Sequence, residues 1–173
     1  MQLRGKTQRM VFVSMLIAVA MVLSYFERFI PLPWNVPGMK LGLANVITLS
    51  AMYYFPKKDV FAIVIIRVIL TSLIIGSVMS FFYSLAGGLL SFMGMAILHQ
   101  WFKNNLSPIG ISIVGAILHN VGQLIVLSIV SGRITIALSY APLIMVSGIA
   151  TGIFVGVASI YFIKSIPIKQ LNS

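Results

Sequence analysis

Six long apolar segments, divided by proline, glycine and charged residues, constrain this sequence more than any other feature. They lie near residues 10–30, 41–55, 60–75, 78–98, 109–130 and 138–163. The segments are apolar on all sides, whereas membrane-spanning strands alternate apolar and polar residues. A spanning helix needs about 20 residues, so six helices account for nearly the whole chain. We therefore predict an all-α integral membrane protein in which residues 1–173 form a single transmembrane domain.

The charged residues predict how the chain is oriented in the membrane. Only 8% of the residues are charged, with a net charge of +10. The cations stand singly or in short groups between the apolar segments, which is typical of membrane topology and argues against nucleic-acid binding. A cytoplasmic N-terminus places three cations outside (Arg28, Lys40, Arg133) and eight inside (Arg4, Lys6, Arg9, Lys57, Lys58, Lys103, Lys164, Lys169). We expect a multi-pass protein of the bacterial cytoplasmic membrane with both termini inside.

The first and sixth segments carry small residues at helical spacing. Residues 18–20 resemble a signal-peptide cleavage site, but the apolar run continues to Phe26, which favours a retained helix. Ser14 and Ala18 form a small pair that suits close helix packing, either within this chain or against a partner protein. In the sixth segment, glycines recur at every fourth position from 148 to 156. This stripe predicts packing inside the bundle.

Arg67 stands near the middle of the third segment. A charge at that depth costs about 2.5–3.5 kcal/mol even on the mildest insertion scale, so it needs a partner. The sequence has only two acidic residues, Glu27 and Asp59. One interpretation is that Arg67 packs against backbone carbonyls and Glu27; the other is that it binds an anionic ligand, because a guanidinium group donates paired hydrogen bonds to carboxylate or phosphate.

Further polar residues are expected in the same outer half of the membrane. The fifth segment carries His119, Asn120 and Gln123 among apolar residues, which favours a lined cavity over a single interhelical hydrogen bond. By helix direction and depth, the other residues predicted to line this cavity are Lys40, Asn45, Tyr83 and Ser84. Trp34, in the proline-rich loop of residues 31–40, is a candidate substrate-binding residue, although an interfacial anchor is the favoured interpretation, and the loop as a whole could cover the cavity. The short second and third segments indicate either such a cavity or local thinning of the bilayer.

Several chemistries are disfavoured by what the sequence lacks. There is no cysteine and no phosphate-binding loop of the G-x-x-x-x-G-K-[ST] type. His99 lies at the far end of its segment from His119, so a metal site is not expected. Two separated acids cannot assemble a magnesium site for diphosphate chemistry. We predict a protein without catalytic activity, metal or cofactor, which binds a small molecule.

Four motifs carry a resemblance to a known family. They are residues 31–48 (PLPWNVPGMKLGLANVIT), Arg67 within IIRVIL, residues 84–88 (SLAGG) and residues 115–123 (GAILHNVGQ). The chain resembles the Gx transporter family, also called heptaprenyl diphosphate synthase component I, a relative of the substrate-binding S-components of energy-coupling factor (ECF) vitamin transporters.

The resemblance implies six helices, cytoplasmic termini and a pocket near the outer face that is capped by the first loop. It also implies that a small pair on the first helix docks on a transmembrane coupling subunit, which works with cytoplasmic ATPases. Ser14 and Ala18 stand at that pair, with serine in place of the first alanine. The expected substrate is small and anionic, vitamin-like or related to isoprenoids. The alternative function is a noncatalytic membrane subunit that assists heptaprenyl diphosphate synthesis.

Overall fold

The computed structural model describes residues 6–30, 40–102 and 105–165. Within them the chain forms six α-helices and one 3-10 turn (Glu27–Phe29), and no strand occurs in these ranges. The helices are α1 (Lys6–Phe26), α2 (Asn45–Met52), α3 (Lys57–Ile75), α4 (Val78–Trp101), α5 (Pro108–Ser131) and α6 (Ile134–Ser165). Of these, α1, α4, α5 and α6 are long and apolar enough to cross a membrane. The predicted all-α membrane fold is confirmed.

The second helix is much shorter than the segment 41–55 suggested. It holds eight residues, all of them buried, and spans about 12 Å at about 1.5 Å per residue. Helix α2 contacts each of the other five α-helices, so it is the central element of the bundle. Its sequence is NVITLSAM, and its three polar side chains, Asn45, Thr48 and Ser50, are buried in protein rather than exposed to lipid.

Local signals in the sequence set the ends of the other helices. Ser77 and Ser107 cap α4 and α5, because their hydroxyl oxygens accept the amide hydrogens of Ser80 and Gly110, each at 3.2 Å. Helices α3 and α5 stop at Gly76 and Gly132, which adopt the left-handed conformation.

The glycine stripe of α6 packs against α5, as predicted. A Cβ atom on Gly152 would lie 2.6 Å from the Cα of Ile113, and one on Gly156 would lie 2.6 Å from the Cα of Ile109. Such distances leave no room for a side chain, so the two helix backbones are in direct contact. This close packing holds α5 in place against the rest of the bundle.

Contacts between helices define the two ends of the bundle. At one end, called the Lys57 end below, Arg9 Nε donates to Asp59 Oδ2 at 2.5 Å and the Tyr54 hydroxyl donates to the Ile163 carbonyl. The starts of α1 and α3 and the end of α6 therefore meet there. The opposite end, called the Lys40 end, holds the entry to α2. An apolar core that includes Ile47 and Met95 fills the bundle between them.

Candidate functional site

The segment that leads into α2 is the centre of a buried polar cluster near the Lys40 end. The Lys40 backbone amide donates to Gln123 Oε1 at 3.2 Å, and Gln123 Nε2 donates back to the Lys40 carbonyl at 2.9 Å. The Lys40 ammonium group donates to Ser84 Oγ at 3.0 Å. Three predicted site residues, from the α2 entry, α4 and α5, are thus brought together.

His119 lies beneath this group. Gln123 Nε2 and His119 Nε2 are 2.7 Å apart, as expected for residues one helical turn apart on one face. Because the Gln123 oxygen already accepts from Lys40, its NH₂ group faces the imidazole, so His119 Nε2 is the acceptor and the ring proton is on Nδ1. His119 therefore enters the cluster as a neutral imidazole.

Two glycines make room for the imidazole ring. A Cβ atom on Gly87 would lie 2.8 Å from His119 Cε1, and one on Gly42 would lie 3.4 Å from His119 Cδ2. Gly42 also has a φ of +86°, a conformation that other residues rarely adopt. The ring is therefore held between the α2 entry and α4 by close backbone approach on both sides.

Arg67 reaches the same cluster from α3 and is only 4% exposed. Its Nη1 atom donates to Ser24 Oγ at 3.2 Å and its Nη2 atom donates to Asn45 Oδ1 at 3.4 Å. Its Nε atom has no hydrogen-bond partner in the described part of the chain. Both bonds go to neutral groups and are long for charge-assisted bonds. The guanidinium group therefore retains capacity to bind an anion.

Glu27 lies close by but is engaged elsewhere. Its carboxylate accepts the amide hydrogen of Gly42, and it interacts electrostatically with both Arg67 and Lys40. Among the described side chains of residues 6–30, 40–102 and 105–165, which do not include that of Arg28, the one ion pair within 4.0 Å joins Arg9 and Asp59. Glu27 thus ties the end of α1 to the entry of α2 and offsets part of the positive charge without pairing directly with Arg67.

Comparison with known proteins identifies the family. The model of the heptaprenyl diphosphate synthase component I family matches residues 16–162. The chain belongs to this family. It is also similar to a solved structure described as the S component of a bacterial ECF transporter, with 28% identity and a TM-score of 0.57 over 92% of this chain and 94% of that one. A search of curated proteins found no significant match. This component I family member is a multi-pass protein of the cell membrane.

Two predicted site residues of this family member lie apart from the cluster. Asn120 follows His119 in α5, and neighbouring residues of a helix point about 100° apart, so Asn120 faces away from the cluster. Its Nδ2 atom donates to the Ile144 carbonyl of α6 at 2.7 Å. Tyr83 is buried in a small apolar group that also contains Leu127 and Ala137. Asn120 therefore joins α5 to α6, and Tyr83 packs beside the site.

The remaining predicted residues fall outside the cluster for different reasons. Trp34 lies outside the described residues. Ser14 and Ala18 are both exposed on one face of α1, as a docking pair requires. His99 stands at the Lys57 end, where its ring centroid is 4.6 Å from that of Tyr53. In the described ranges, no three His, Cys, Asp or Glu residues come together as a metal site would need.

The sequence-based prediction missed Ser24 and Gly42 as members of the cluster. Ser24 is one helical turn before Glu27, so the two side chains share a face of α1. The spacing could therefore have identified Ser24 as a neighbour of Glu27 from the sequence. Gly42 could not be found in this way, because its role depends on the ring of a distant residue in α5.

Proposed function

We propose that this component I family member is the membrane-embedded substrate-binding component of an ECF-type uptake transporter. The observation that carries the proposal is the likeness to the S component of a bacterial ECF transporter, at 28% identity over 92% of the chain. At that identity and coverage the likeness concerns the whole bundle rather than a shared helical motif. The protein itself performs no chemistry in this proposal.

The substrate is a small anion, vitamin-like or related to isoprenoids, bound by the polar cluster. The cluster holds two cations, Arg67 and Lys40, and one acid, Glu27, which leaves one positive charge in excess. His119 and Gln123 add neutral hydrogen-bonding groups to the same region. An anionic group within reach of Arg67 would accept the unpaired Nε–H and offset the burial cost of the guanidinium.

The energy for uptake comes from partner proteins, a transmembrane coupling subunit and cytoplasmic ATPases. Ser14 and Ala18 provide the docking surface, because small residues let another helix approach closely. Both residues are exposed, and their neighbours Val11, Met15 and Val22 are exposed as well. The face of α1 that carries them is therefore accessible to a helix of another protein.

Affinity purification from native membranes tests the partners. We expect the wild-type chain to recover a coupling subunit with ATPases, and we expect vesicle uptake to require them. Ser14→Leu and Ala18→Leu should each weaken this association, because added bulk separates the helices. Ala150→Leu places the same bulk on an exposed position of α6 and should leave association unchanged. Concentrative ATP-driven uptake by the chain alone would overturn the proposal.

Ligand titration tests the site. The ligand is first recovered from the purified wild-type protein by mass spectrometry and is then titrated by calorimetry. Arg67→Gln should lower affinity by about 10- to 150-fold, since a charge-assisted hydrogen bond contributes about 1.5–3 kcal/mol. Arg67→Lys should lower it less, because the charge remains while the paired geometry is lost. Arg133→Gln removes an exposed cation and is the control. Unchanged affinity in folded Arg67→Gln protein would assign Arg67 to packing.

The name of the family supports a second function. A heptaprenyl diphosphate synthase component I would act as a noncatalytic membrane subunit beside a soluble prenyltransferase. The same purification separates the two proposals by the partner recovered. A prenyltransferase whose product length or activity changes on addition of this chain, without any ATPase, would favour the synthase function.

A further inference from the structure

A groove between α3 and α4 at the Lys57 end is separate from the polar cluster. It has a volume of about 360 Å³, and its walls are formed by Lys57, Lys58, Phe61, Phe92, Met93, Ala96 and Ile97. The rings of Phe61 and Phe92 have centroids 5.7 Å apart. Phe61, Met93 and Ile97 are 44%, 54% and 48% exposed. The groove is thus apolar along its length, with two lysines at one end.

A second pocket adjoins the groove and is more polar. Its volume is about 410 Å³, and its lining consists of Met52, Phe55, Pro56, Lys57, Ala96, His99 and Gln100. Lys57 and Ala96 line both spaces. The Lys57 ammonium group donates to the side-chain oxygen of Gln100. An ammonium group therefore stands at the boundary between an apolar groove and a polar pocket.

The charge at this boundary is positive and is not neutralised by the nearest acid. Lys57 and Lys58 are exposed and form the first turn of α3, where the helix dipole also favours an anion. Asp59 is the acid next in sequence, and its carboxylate is bound by Arg9 of α1 at 2.5 Å. The lysines are therefore available to a ligand outside the chain.

We propose that this site binds an anionic phospholipid. One acyl chain occupies the groove beside Phe61 and Met93, the phosphate is held by Lys57 and Lys58, and the headgroup enters the pocket beside Gln100. Basic pockets between membrane helices are suited to anionic headgroups. The site is independent of the transport function proposed above.

The pairing of an apolar groove with two lysines distinguishes a phospholipid from a free phosphate ion. A free phosphate ion needs only the charged end, and it would not contact the apolar residues beyond the lysines, Phe61, Met93 and Ile97. A phospholipid uses both parts of the site, because its acyl chain is apolar and its phosphate is anionic.

Native mass spectrometry of the full chain in detergent, titrated with dioleoyl phosphatidylglycerol, tests the proposal. We expect one tightly held lipid on the wild-type protein. Each lysine near an anionic lipid is worth about fivefold in affinity, so Lys57→Gln with Lys58→Gln should weaken binding by about 25-fold. Ala96→Phe fills the groove and should weaken binding with all charges retained.

The matched control removes two exposed lysines at the same end of the bundle, with Lys6→Gln and Lys164→Gln together. This pair should bind phosphatidylglycerol like the wild type. Equal losses in both pairs would indicate only diffuse attraction and would overturn the proposal. So would equal binding of phosphatidylcholine with the same chains, full affinity in Ala96→Phe, or equally effective competition by inorganic phosphate.

Discussion

Replacement of Gly87 by alanine tests how the polar cluster is built. The added Cβ would lie 2.8 Å from Cε1, 2.9 Å from Nδ1 and 2.9 Å from the carbonyl oxygen of His119. The ring can turn, but the carbonyl belongs to the α5 backbone, so α4 and α5 must separate. Overpacking of this kind costs about 1–3 kcal/mol, while alanine gains about 1 kcal/mol over glycine in a helix. The net change is a loss of about 0–2 kcal/mol.

The next residue in the chain is the matched control. A Cβ on Gly88 would lie 3.3 Å from Val64 Cγ1 and 3.5 Å from Arg67 Nη2, both at the mobile ends of side chains. Gly88→Ala has the same helix-propensity gain of about 1 kcal/mol without the backbone collision. The free energy of unfolding should therefore differ between the two variants by about 1–3 kcal/mol, with Gly87→Ala the less stable.

Thermal unfolding in one detergent measures this difference. A gap of about 2 kcal/mol corresponds to about 4–8 °C in melting temperature for a chain of this size. Gly87→Ala should also bind the recovered ligand more weakly than Gly88→Ala, since it displaces the imidazole of His119. Equal melting temperatures, or a lower one for Gly88→Ala, would refute the packing described for His119.

Three further predictions concern orientation, charge and helix packing. Reporter fusions after Lys57 should report the cytoplasm and fusions at Arg133 the exterior; the reverse would contradict the orientation drawn from the cations. Glu27→Gln should lower the free energy of unfolding by no more than about 1 kcal/mol, because a charge-assisted bond of about 1.5–3 kcal/mol becomes a neutral one of about 0.5–1.5 kcal/mol, yet calorimetry should detect tighter anion binding near Arg67; weaker anion binding would show that Glu27 serves the ligand. Gly152→Ala meets an α5 backbone atom at 2.6 Å and should lower the melting temperature by several degrees, and an unchanged value would refute direct backbone contact between α5 and α6.

The sequence by itself predicted the membrane fold, because the apolar segments and their interruptions are local properties. Serine caps the start of a helix and glycine ends it through bonds to residues only a few positions away. The limits of α4 and α5 therefore fall within three residues of the segments 78–98 and 109–130. Helix α2 departed from its segment 41–55 because a largely apolar segment does not distinguish a helix buried in protein from one exposed to lipid. Only the contacts with five other helices distinguish them.

The candidate site was predictable where residues share a helix. His119 and Gln123 are one turn apart, and the structure places their side chains in contact. Asn120 was grouped with them by sequence proximity, but a 100° rotation directs it to α6. Helical periodicity alone could have separated the two faces of α5.

Only the tertiary structure decided which charges and donors meet. A charge at the depth of Arg67 needs a partner, yet the sequence left open whether backbone carbonyls with Glu27 or a bound anion supplies it. The fold gives Asp59 to Arg9 and ties Glu27 to the Gly42 amide, and it supplies Arg67 with the side chain of Ser24 instead. Pairings across helices depend on relative rotation and depth, which a pattern along one chain does not contain. The sequence determined that the buried cation Arg67 needed hydrogen-bond partners. The packing of α1, α2 and α3 determined which side chains became those partners.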